Sequence, residues 1–285
     1  QADGSLTLLT RTPDLRQAKH TSTIDNIVVW VDRPNADPAV DLRNLLSDLD
    51  LLGMRVGVDF EDWFSRDQLP ADRDASVRAA LQELEQHMLR NAHCCLATTR
   101  VMAEALAEYA GTSRVPTVVP NCFPALATGE AWPGREERVG KAVSFYWVSQ
   151  TIGPGRGLEA LASALPLLRG DWQLNLRGAL RGYTDWFEDT FGGPARGRVR
   201  CLEPVTNAEL PARTRSHDVG LALELPYCPN KELTASNKIH EYLRGGLAVV
   251  ATDTRGQREV LDASPGAGVL VEPGNPRALA AAMQR

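Results

Sequence analysis

The sequence predicts an α/β protein built from two domains, each with a parallel sheet covered by helices. Short apolar runs rich in β-branched residues alternate with segments of helical periodicity along the 285-residue chain, and this alternation is typical of such sheets. The alternation is interrupted once, over 126–142, by a stretch rich in Gly, Pro and charged residues that has the composition of a linker. We therefore place the two domains at 1–125 and 143–285.

The first domain is predicted to alternate short strands with two helices. Leu81, Leu84 and Met88 stand at helical spacing, with charged residues between them, and predict a helix over 76–89. A second helix is predicted over 100–109, where Gly111 provides a stop signal. The strands are short apolar runs with Gly or Pro nearby, predicted at 5–10, 27–31, 54–58, 94–97 and 116–119. No strand, glycine-rich loop and helix precede residue 5, so the sequence leaves open that this domain is incomplete.

The second domain shows the same alternation in a more complete form. Its strands are predicted at 143–148, 173–176, 199–202, 219–223 and 247–251. Helical periodicity and stop signals place helices at 158–168, 207–213, 238–244 and 276–283. Because each strand is followed by a crossover to the next strand, we expect a second parallel sheet covered by helices.

Composition argues against several classes of function. The formal net charge is −5, whereas a non-specific nucleic-acid binder usually needs a basic surface, so we expect no nucleic-acid partner. No apolar run approaches the roughly 20 residues of a membrane span, and the polar start is unlike a signal peptide; peripheral contact with a membrane surface stays open. The five cysteines include no C-x-x-C pair, which is typical of a reduced, cytoplasmic protein and not of a disulfide framework or a zinc site.

Three motifs of nucleotide and metal chemistry are incomplete in this sequence. Gly153-Pro-Gly-Arg-Gly157 follows a strand, but Leu158 stands where the dinucleotide-binding pattern needs its last glycine. The segment 134–141 fails as a P-loop because its glycines are too far apart and no Ser or Thr follows the lysine. Asp72 and Asp74 have the spacing of a D-x-D motif, but they precede a predicted helix start and are better explained as caps. We therefore predict neither a cofactor nor a metal site.

One stretch has the physical properties of an anion site. Ser236 and Asn237 are both good N-caps for the helix predicted over 238–244. The first turn of a helix presents free backbone N–H groups and the positive end of the helix dipole. Lys238 adds a positive charge there, and Glu241 follows three residues later on the same helix face. On spacing alone, a plain amphipathic helix with a solvated Lys–Glu pair is the simpler interpretation.

The stretch 237–253 resembles the donor-binding signature of GT-B glycosyltransferases of family four. In that family a helix that starts near the donor diphosphate carries a ribose-binding glutamate, and a turn of small residues and an apolar strand follow it. Glu241 matches this glutamate, and Gly246-Leu-Ala-Val-Val-Ala-Thr-Asp253 matches the following G-x-P-V-V-A-T-D, with Ala248 in place of the usual proline. The resemblance implies two Rossmann-like domains with parallel sheets and a cleft between them.

Further segments match the family in the expected order along residues 55–283. Residues 148–159 resemble the loop and helix that open the donor domain, with Arg156 where the family places a basic residue on the diphosphate. Residues 176–178 and 202–205 resemble the following strand ends, and 97–106 and 118–121 resemble the end of the acceptor-side domain. The resemblance implies a donor site with Gly155, Arg156, Arg177, Ser236, Asn237 and Lys238 at the diphosphate, Glu241 at the ribose, and Glu203, Pro204 and Val205 near the nucleobase. Arg177 is equally a candidate for a structural salt bridge.

The acidic positions depart from the family pattern. The family has two glutamates separated by seven residues, but Leu233 stands eight positions before Glu241, and Glu232 is one residue out of register. A histidine often faces the reacting sugar in the family, whereas Glu61 and Asp62 stand at that strand end here. The resemblance therefore implies Glu61, Asp62 and Glu232 as candidate catalytic residues. For Glu61 and Asp62, polar residues that meet solvent at a strand end are the alternative.

The function implied by the resemblance is the transfer of a hexose-like sugar from a nucleotide-diphosphate donor to an acceptor, with retention of the anomeric configuration. The nucleotide-sugar is a substrate, so no cofactor is expected, and basic side chains with backbone amides would stabilise the leaving diphosphate without a metal ion. The acceptor is a carbohydrate, a lipid-linked molecule or another small molecule. Two alternatives stay open: a nucleotide-sugar 2-epimerase of the same fold, and a GT-B-like binding or scaffold protein without catalysis.

Overall fold

The computed structural model describes five stretches of the chain, namely residues 6–9, 26–30, 55–67, 75–121 and 142–285. The chain divides into two compact units. Residues 1–120 together with 227–234 form the first unit, and residues 121–226 together with 235–285 form the second unit. Except for residue 142, the linker predicted from the sequence lies outside the described residues, as do Asp72, Asp74 and Cys122. The domain limits drawn at 125 and 143 stay predictions.

The first unit contains a parallel sheet. Its described strands are Leu6–Leu9 (β1), Asn26–Trp30 (β2), Arg55–Phe60 (β3), Cys94–Ala97 (β4) and Thr117–Val118 (β5). They pair in the order β1-β2-β3-β4-β5, and every pair is parallel. The strands predicted for this domain are therefore confirmed to within about two residues at each end, which is the usual uncertainty of element limits.

Two described helices cover the sheet of the first unit, Ala75–Asn91 (α1) and Arg100–Ala110 (α2). The Thr99 side chain caps α2 by accepting a hydrogen bond from the Met102 N–H, and Gly111 ends the helix with a left-handed φ of 63°. The predicted spacing in α1 is confirmed, since Leu84 and Met88 are each 1% exposed in the core. A 3-10 turn at Phe64–Arg66 follows β3.

The second unit contains a larger parallel sheet. Its strands are Val143–Thr151 (β6), Trp172–Ala179 (β7), Val199–Leu202 (β8), Val219–Ala222 (β9), Ala248–Thr252 (β10) and Gly268–Val271 (β11). They pair in the order β11-β10-β9-β6-β7-β8. The chain builds outward from β6 on one side and then returns to its other side with β9. In sheets of this kind ligands bind beyond the carboxyl ends of the strands, where the order reverses.

The helices in the second half of the chain are Leu158–Ala164 (α3), Thr184–Phe191 (α4), Leu210–Thr214 (α5), Pro229–Leu233 (α6), Asn237–Gly245 (α7), Arg255–Asp262 (α8) and Pro276–Gln284 (α9). Of these, α6 belongs to the first unit and the others to the second. The helix predicted over 158–168 ends early and continues as a 3-10 turn at Leu165–Leu167, because Pro166 has no N–H to donate to a longer helix.

Both faces of the second sheet are buried. Successive residues of a strand point to opposite faces, so Tyr146 in β6 packs with Ile239 and Tyr242 of α7, while Trp147 packs on the other face with Leu158 of α3. This explains why the strands are almost continuously apolar, as is usual for parallel sheets with helices on both sides. None of the helices in the described part of the chain is long and apolar enough to cross a membrane.

Candidate functional site

The carboxyl end of β6 contains a bulge that shapes the site. Val148 pairs with Arg177 of β7 and Thr151 pairs with Ala179, so β6 carries one extra residue between these pairs. The strands approach closely here, since a Cβ on Gly178 would lie 2.4 Å from the Ser149 carbonyl oxygen. Only glycine fits at this position. A bulge bends its strand and redirects the chain that follows, and here it leads into the glycine-rich loop 152–157.

Glycine is required at several points of this loop for different reasons. Gly155 and Gly157 have φ values of 73° and 76°, which side-chain-bearing residues rarely adopt. A Cβ on Gly157 would also lie 2.8 Å from the Cβ of Leu223, and one on Gly153 would lie 2.7 Å from the ring of Tyr183. The loop therefore runs tightly along the edge of the sheet.

Arg156 stands on the solvent side of the loop. Its side chain is exposed, and its Nη1 donates a hydrogen bond to Ser149 Oγ at 3.1 Å. The neighbouring Gly155 N–H donates to Glu159 Oε1 in the first turn of α3 at 2.9 Å, so this amide is already occupied. A guanidinium group has five N–H donors, and Arg156 therefore keeps donors for an anion at the end of β6.

Helix α7 begins as the sequence predicts, with one difference. Ser236 occupies the N-cap position with extended backbone, but its Oγ makes no capping bond and is buried without a hydrogen-bond partner among the described residues. Asn237 Oδ1 accepts a hydrogen bond from Asn121 Nδ2 at 2.6 Å. Gly246 ends the helix with a φ of 67°. The Ile239 N–H donates to the Ser236 carbonyl at 3.1 Å. The N–H groups of Asn237 and Lys238 are not occupied by the N-cap side chain and keep their capacity to bind an anion.

Tyr242 fixes α7 on the sheet. Its ring lies directly over Gly220 in β9, where a Cβ would come within 2.2 Å of the ring. Its hydroxyl accepts a hydrogen bond from Val148 N–H at 3.2 Å and lies 3.4 Å from the Leu221 carbonyl oxygen, to which it donates. Complete burial raises the pKa of Tyr242 well above its ordinary value, so it stays a donor. Since residues four apart lie on one helix face, this anchor also positions Lys238.

Lys238 forms an ion pair that the sequence did not predict. Its Nζ lies 2.6 Å from Glu224 Oε1, and the two side chains are each only 15% exposed. Nζ also lies 5.7 Å from the ring centroid of Trp147, a cation–π distance. Glu224 follows β9 and is held by a hydrogen bond from its N–H to Thr252 Oγ1 at 2.7 Å. The positive charge is therefore fixed in place in a poorly solvated setting, where it acts on an anion more strongly than in water.

Arg177 and the predicted nucleobase segment are connected. Arg177 is buried, with Nε donating to Tyr146 Oη at 3.0 Å and Nη1 donating to the Glu203 carbonyl at 2.7 Å. Both contacts are hydrogen bonds within the protein, and the role of Arg177 at the diphosphate stays a prediction. Arg177 thereby fixes the start of the segment that continues with Pro204 and Val205, whose part in base recognition stays a prediction.

Glu241 lies buried in α7 and contacts a residue of its own helix. It is 3% exposed, and its Oε2 lies 3.7 Å from Arg244 Nη1. Burial raises the pKa of the Glu241 carboxyl, while Arg244, Thr214 and Arg215 favour its charged form. A solvated pair with Lys238 does not form, because Lys238 pairs with Glu224 and Glu241 pairs with Arg244. The assignment of Glu241 to the ribose stays a prediction.

The candidate catalytic residues all belong to the first unit. Glu61 and Asp62 directly follow β3, and both are half-buried. Glu232 is half-buried on α6, and the neighbouring Leu233 lies in the hydrophobic core of the first unit. Asp62 accepts a hydrogen bond from Asn230 on α6. In the part of the chain that the structure describes, no three or more His, Cys, Asp or Glu side chains are grouped to hold a metal ion.

Sequence reasoning missed three residues of these sites, namely Glu224, Asn230 and Tyr242. A usable signal existed for Glu224, a charged residue directly after an apolar strand that leads to the carboxyl edge of a parallel sheet. Asn230 sits in a helix too short to show periodicity. Tyr242 was expected as part of the helix, but its role depends on Gly220, which is distant in sequence.

The second unit corresponds to a known family of enzymes. Residues 143–285, just over half of the chain, match the family described as glycosyl transferases group 1. The chain belongs to this family. We found no significant similarity to any curated protein sequence.

Solved structures of GT-B glycosyltransferases resemble nearly all of the chain. Sucrose-phosphate synthase from Thermosynechococcus elongatus has a TM-score of 0.70 at 17% identity, covering 95% of this chain and 66% of its own. HepE from Anabaena in complex with UDP has a TM-score of 0.67 at 18% identity, covering 94% and 70%. The lipopolysaccharide outer core galactosyltransferase WaaB has a TM-score of 0.63 at 14% identity, covering 95% and 68%. The chain thus spans about two thirds of their length, and the likeness confirms the predicted GT-B fold.

Proposed function

We propose that this protein is a retaining glycosyltransferase that moves a hexose from a nucleotide-diphosphate donor to an acceptor hydroxyl. The observation that carries the proposal is the fixed Lys238–Glu224 pair at the first turn of α7, with Nζ 2.6 Å from Oε1. It lies beyond the carboxyl ends of β6 and β9, where sheets of this topology bind ligands. Membership of the glycosyl transferases group 1 family supports the same chemistry.

The proposed donor site matches the charge that develops during the reaction. As the bond between the sugar and the diphosphate breaks, negative charge grows on the leaving phosphate oxygens. Preorganised donors stabilise such charge best because they need no reorganisation. The first-turn amides of α7, Lys238 and Arg156 are donors of this kind, and Tyr242 holds the helix that carries them. The proposed mechanism therefore needs no metal ion.

Uridine nucleotides are the first donors to test. Structures of Anabaena HepE with UDP and with UDP-glucose are among the solved structures that resemble this chain. We propose UDP-glucose as a first donor and a carbohydrate, lipid-linked or small-molecule hydroxyl as acceptor. On the acceptor side we propose that Glu61 or Asp62 orients the hydroxyl or assists its deprotonation, and that Glu232 contacts the donor sugar. The free cysteines of the described residues support a reducing, cytoplasmic setting.

A thermal-shift panel tests the proposal. UDP, GDP and ADP are compared at increasing concentration, and we expect one of them to raise the melting temperature, because a ligand that binds only the folded state stabilises it by mass action. The stabilising nucleotide then identifies the donor series for a product assay. No shift from any of the three at millimolar concentration would refute the proposal and favour a scaffold. Release of an altered free sugar without acceptor would instead indicate a 2-epimerase.

A further inference from the structure

A short segment from the second half of the chain is built into the first unit. Residues 227–234 belong to the first unit, although the residues on either side of them belong to the second. The segment contains α6, which carries the candidate catalytic residue Glu232. Leu233, at the end of α6, is 5% exposed and lies in the same hydrophobic core as Val58 of β3. A helix of five residues is not stable by itself, so its contacts within the first unit determine its conformation.

Asn230 makes the central contact of this segment. Its side chain is completely buried at 0% exposure. Its Oδ1 accepts a hydrogen bond from the Trp63 N–H at 2.8 Å, and its Nδ2 donates to Asp62 Oδ1 at 2.8 Å. A side-chain amide suits this position because its oxygen accepts from one neighbour while its nitrogen donates to the next. An aspartate would place two carboxylates in contact, and an alanine would leave the Trp63 N–H without its acceptor.

The other end of α6 is held independently. Thr99 Oγ1 donates a hydrogen bond to the Leu233 carbonyl at 2.6 Å and accepts one from the Met102 N–H at 3.2 Å. The Thr234 hydroxyl closes the turn by donating to the Asn230 carbonyl at 2.7 Å. These bonds fix the helix but do not touch Asp62. The structure therefore offers two anchors for one segment, and only the Asn230 anchor makes a hydrogen bond to a candidate catalytic side chain.

We propose that Asn230 is a positioning residue of the transfer reaction, acting through Asp62. By occupying Oδ1, Asn230 fixes the plane of the Asp62 carboxylate and leaves Oδ2 to accept a hydrogen bond from the acceptor hydroxyl. It also fixes the strand end at Trp63 to the helix that carries Glu232, so the acceptor-side and donor-side acidic residues share one rigid support. The role of Asn230 rests on the proposed function, because it matters only if Asp62 orients an acceptor.

The test compares Asn230→Ala with Thr99→Val in the full chain. UDP affinity is measured by calorimetry, and kcat is measured as UDP release from UDP-glucose, with water or an identified acceptor. We expect Asn230→Ala to leave the Kd for UDP within about twofold and to lower kcat by about ten- to a hundredfold, since a misplaced group costs rates of this order. Thr99→Val removes the other anchor, and its kcat should stay within about threefold after correction for any unfolded fraction.

A double-mutant cycle separates positioning from stability. In an Asp62→Ala background, Asn230→Ala should change kcat by less than about threefold, because a residue that acts through another has no effect once that residue is gone. An equal loss of kcat in both backgrounds, or a loss in Thr99→Val as large as in Asn230→Ala, would overturn the proposal. A wild-type chain that binds UDP but whose kcat is unaffected by Asn230→Ala would also overturn it, while leaving the proposed function intact. A wild-type chain that binds no UDP would refute the proposed function itself.

Discussion

Replacing Lys238 by alanine should strongly weaken binding of a nucleoside diphosphate. The substitution removes a charge-assisted contact, and such contacts contribute about 1.5–3 kcal/mol, or about ten- to a hundredfold in Kd. It also leaves the largely buried Glu224 carboxylate facing the diphosphate without the cation that lies 2.6 Å away in the wild-type protein. At about 5 Å and an effective dielectric constant of about 20, two like charges repel by about 3 kcal/mol, an upper bound because water enters the space left by the lysine.

Removing the Glu224 carboxylate should have the opposite effect on nucleotide affinity. Adding Glu224→Gln to Lys238→Ala should recover about tenfold of the lost affinity, because the repulsion disappears while the missing contact does not return. Glu224→Gln alone should bind UDP at least as tightly as the wild-type protein. These three variants distinguish a site organised around the ion pair from a lysine that only happens to lie near a ligand.

Calorimetric titration with UDP at constant ionic strength is the appropriate assay, because salt screens these interactions. Arg169→Ala is the matched control. Arg169 is an exposed cation of the same unit in the loop that precedes β7, at the amino edge of the sheet, so its loss should change the Kd by less than about twofold. A Kd for Lys238→Ala within about twofold of the wild-type value, with the fold intact by circular dichroism, would refute the placement of the diphosphate at α7.

Three further predictions follow from the contacts of individual residues. Arg156→Ala should weaken UDP binding by about three- to tenfold without changing the melting temperature, because the side chain is exposed; an unchanged Kd would remove it from the site. Gly155→Ala should lower the free energy of unfolding, measured in urea, by about 1 kcal/mol because of its positive φ alone. Gly157→Ala should lower it by more, because there the added Cβ would also lie 2.8 Å from the Cβ of Leu223. Equal losses in the two variants would contradict the close approach at Gly157. Burial raises the pKa of Glu85 above its ordinary 4.5, so its contribution to stability should be complete below about pH 4.5 and lost as the pH rises through the raised pKa. In Glu85→Gln the free energy of unfolding should therefore depend less on pH over this range. An unchanged pH dependence would show that Glu85 is not its source.

Most of the secondary structure was predictable because local signals and the fold agree. The strand at β10 is an apolar run between a glycine pair and a polar turn, and the limits of α7 follow from Ser236 and Gly246. Four elements of the second half were missed, namely α4, α6, α8 and β11. For α8 and β11 a signal existed, since Thr254 caps α8 and β11 is an apolar run, but α4 and α6 lack such signals. Helix α4 is rich in aromatic and β-branched residues with low helix propensity, and it forms because Phe187 and Phe191 are buried on the sheet. Helix α6 depends on contacts with residues more than 130 positions away.

The site was predictable in its backbone and less so in its charges. A helix start at the carboxyl edge of a parallel sheet follows from local sequence and topology. The choice of partners does not, because Lys238 could pair with any carboxylate that the fold brings near. It pairs with Glu224, fourteen positions earlier on another element, and Glu241 pairs within its own helix with Arg244. Helical spacing could not reveal these two pairs, because the choice of partners depends on how α7 is rotated about the Tyr242 anchor.

A crystal structure of the protein with bound UDP tests the central claim most directly. We predict phosphate oxygens within hydrogen-bonding distance of the N–H groups of Asn237 and Lys238 at the start of α7, of Lys238 Nζ and of the Arg156 guanidinium. The same structure would show whether the ribose reaches Glu241. Density for the diphosphate at any other position, with the start of α7 occupied only by water, would contradict the account.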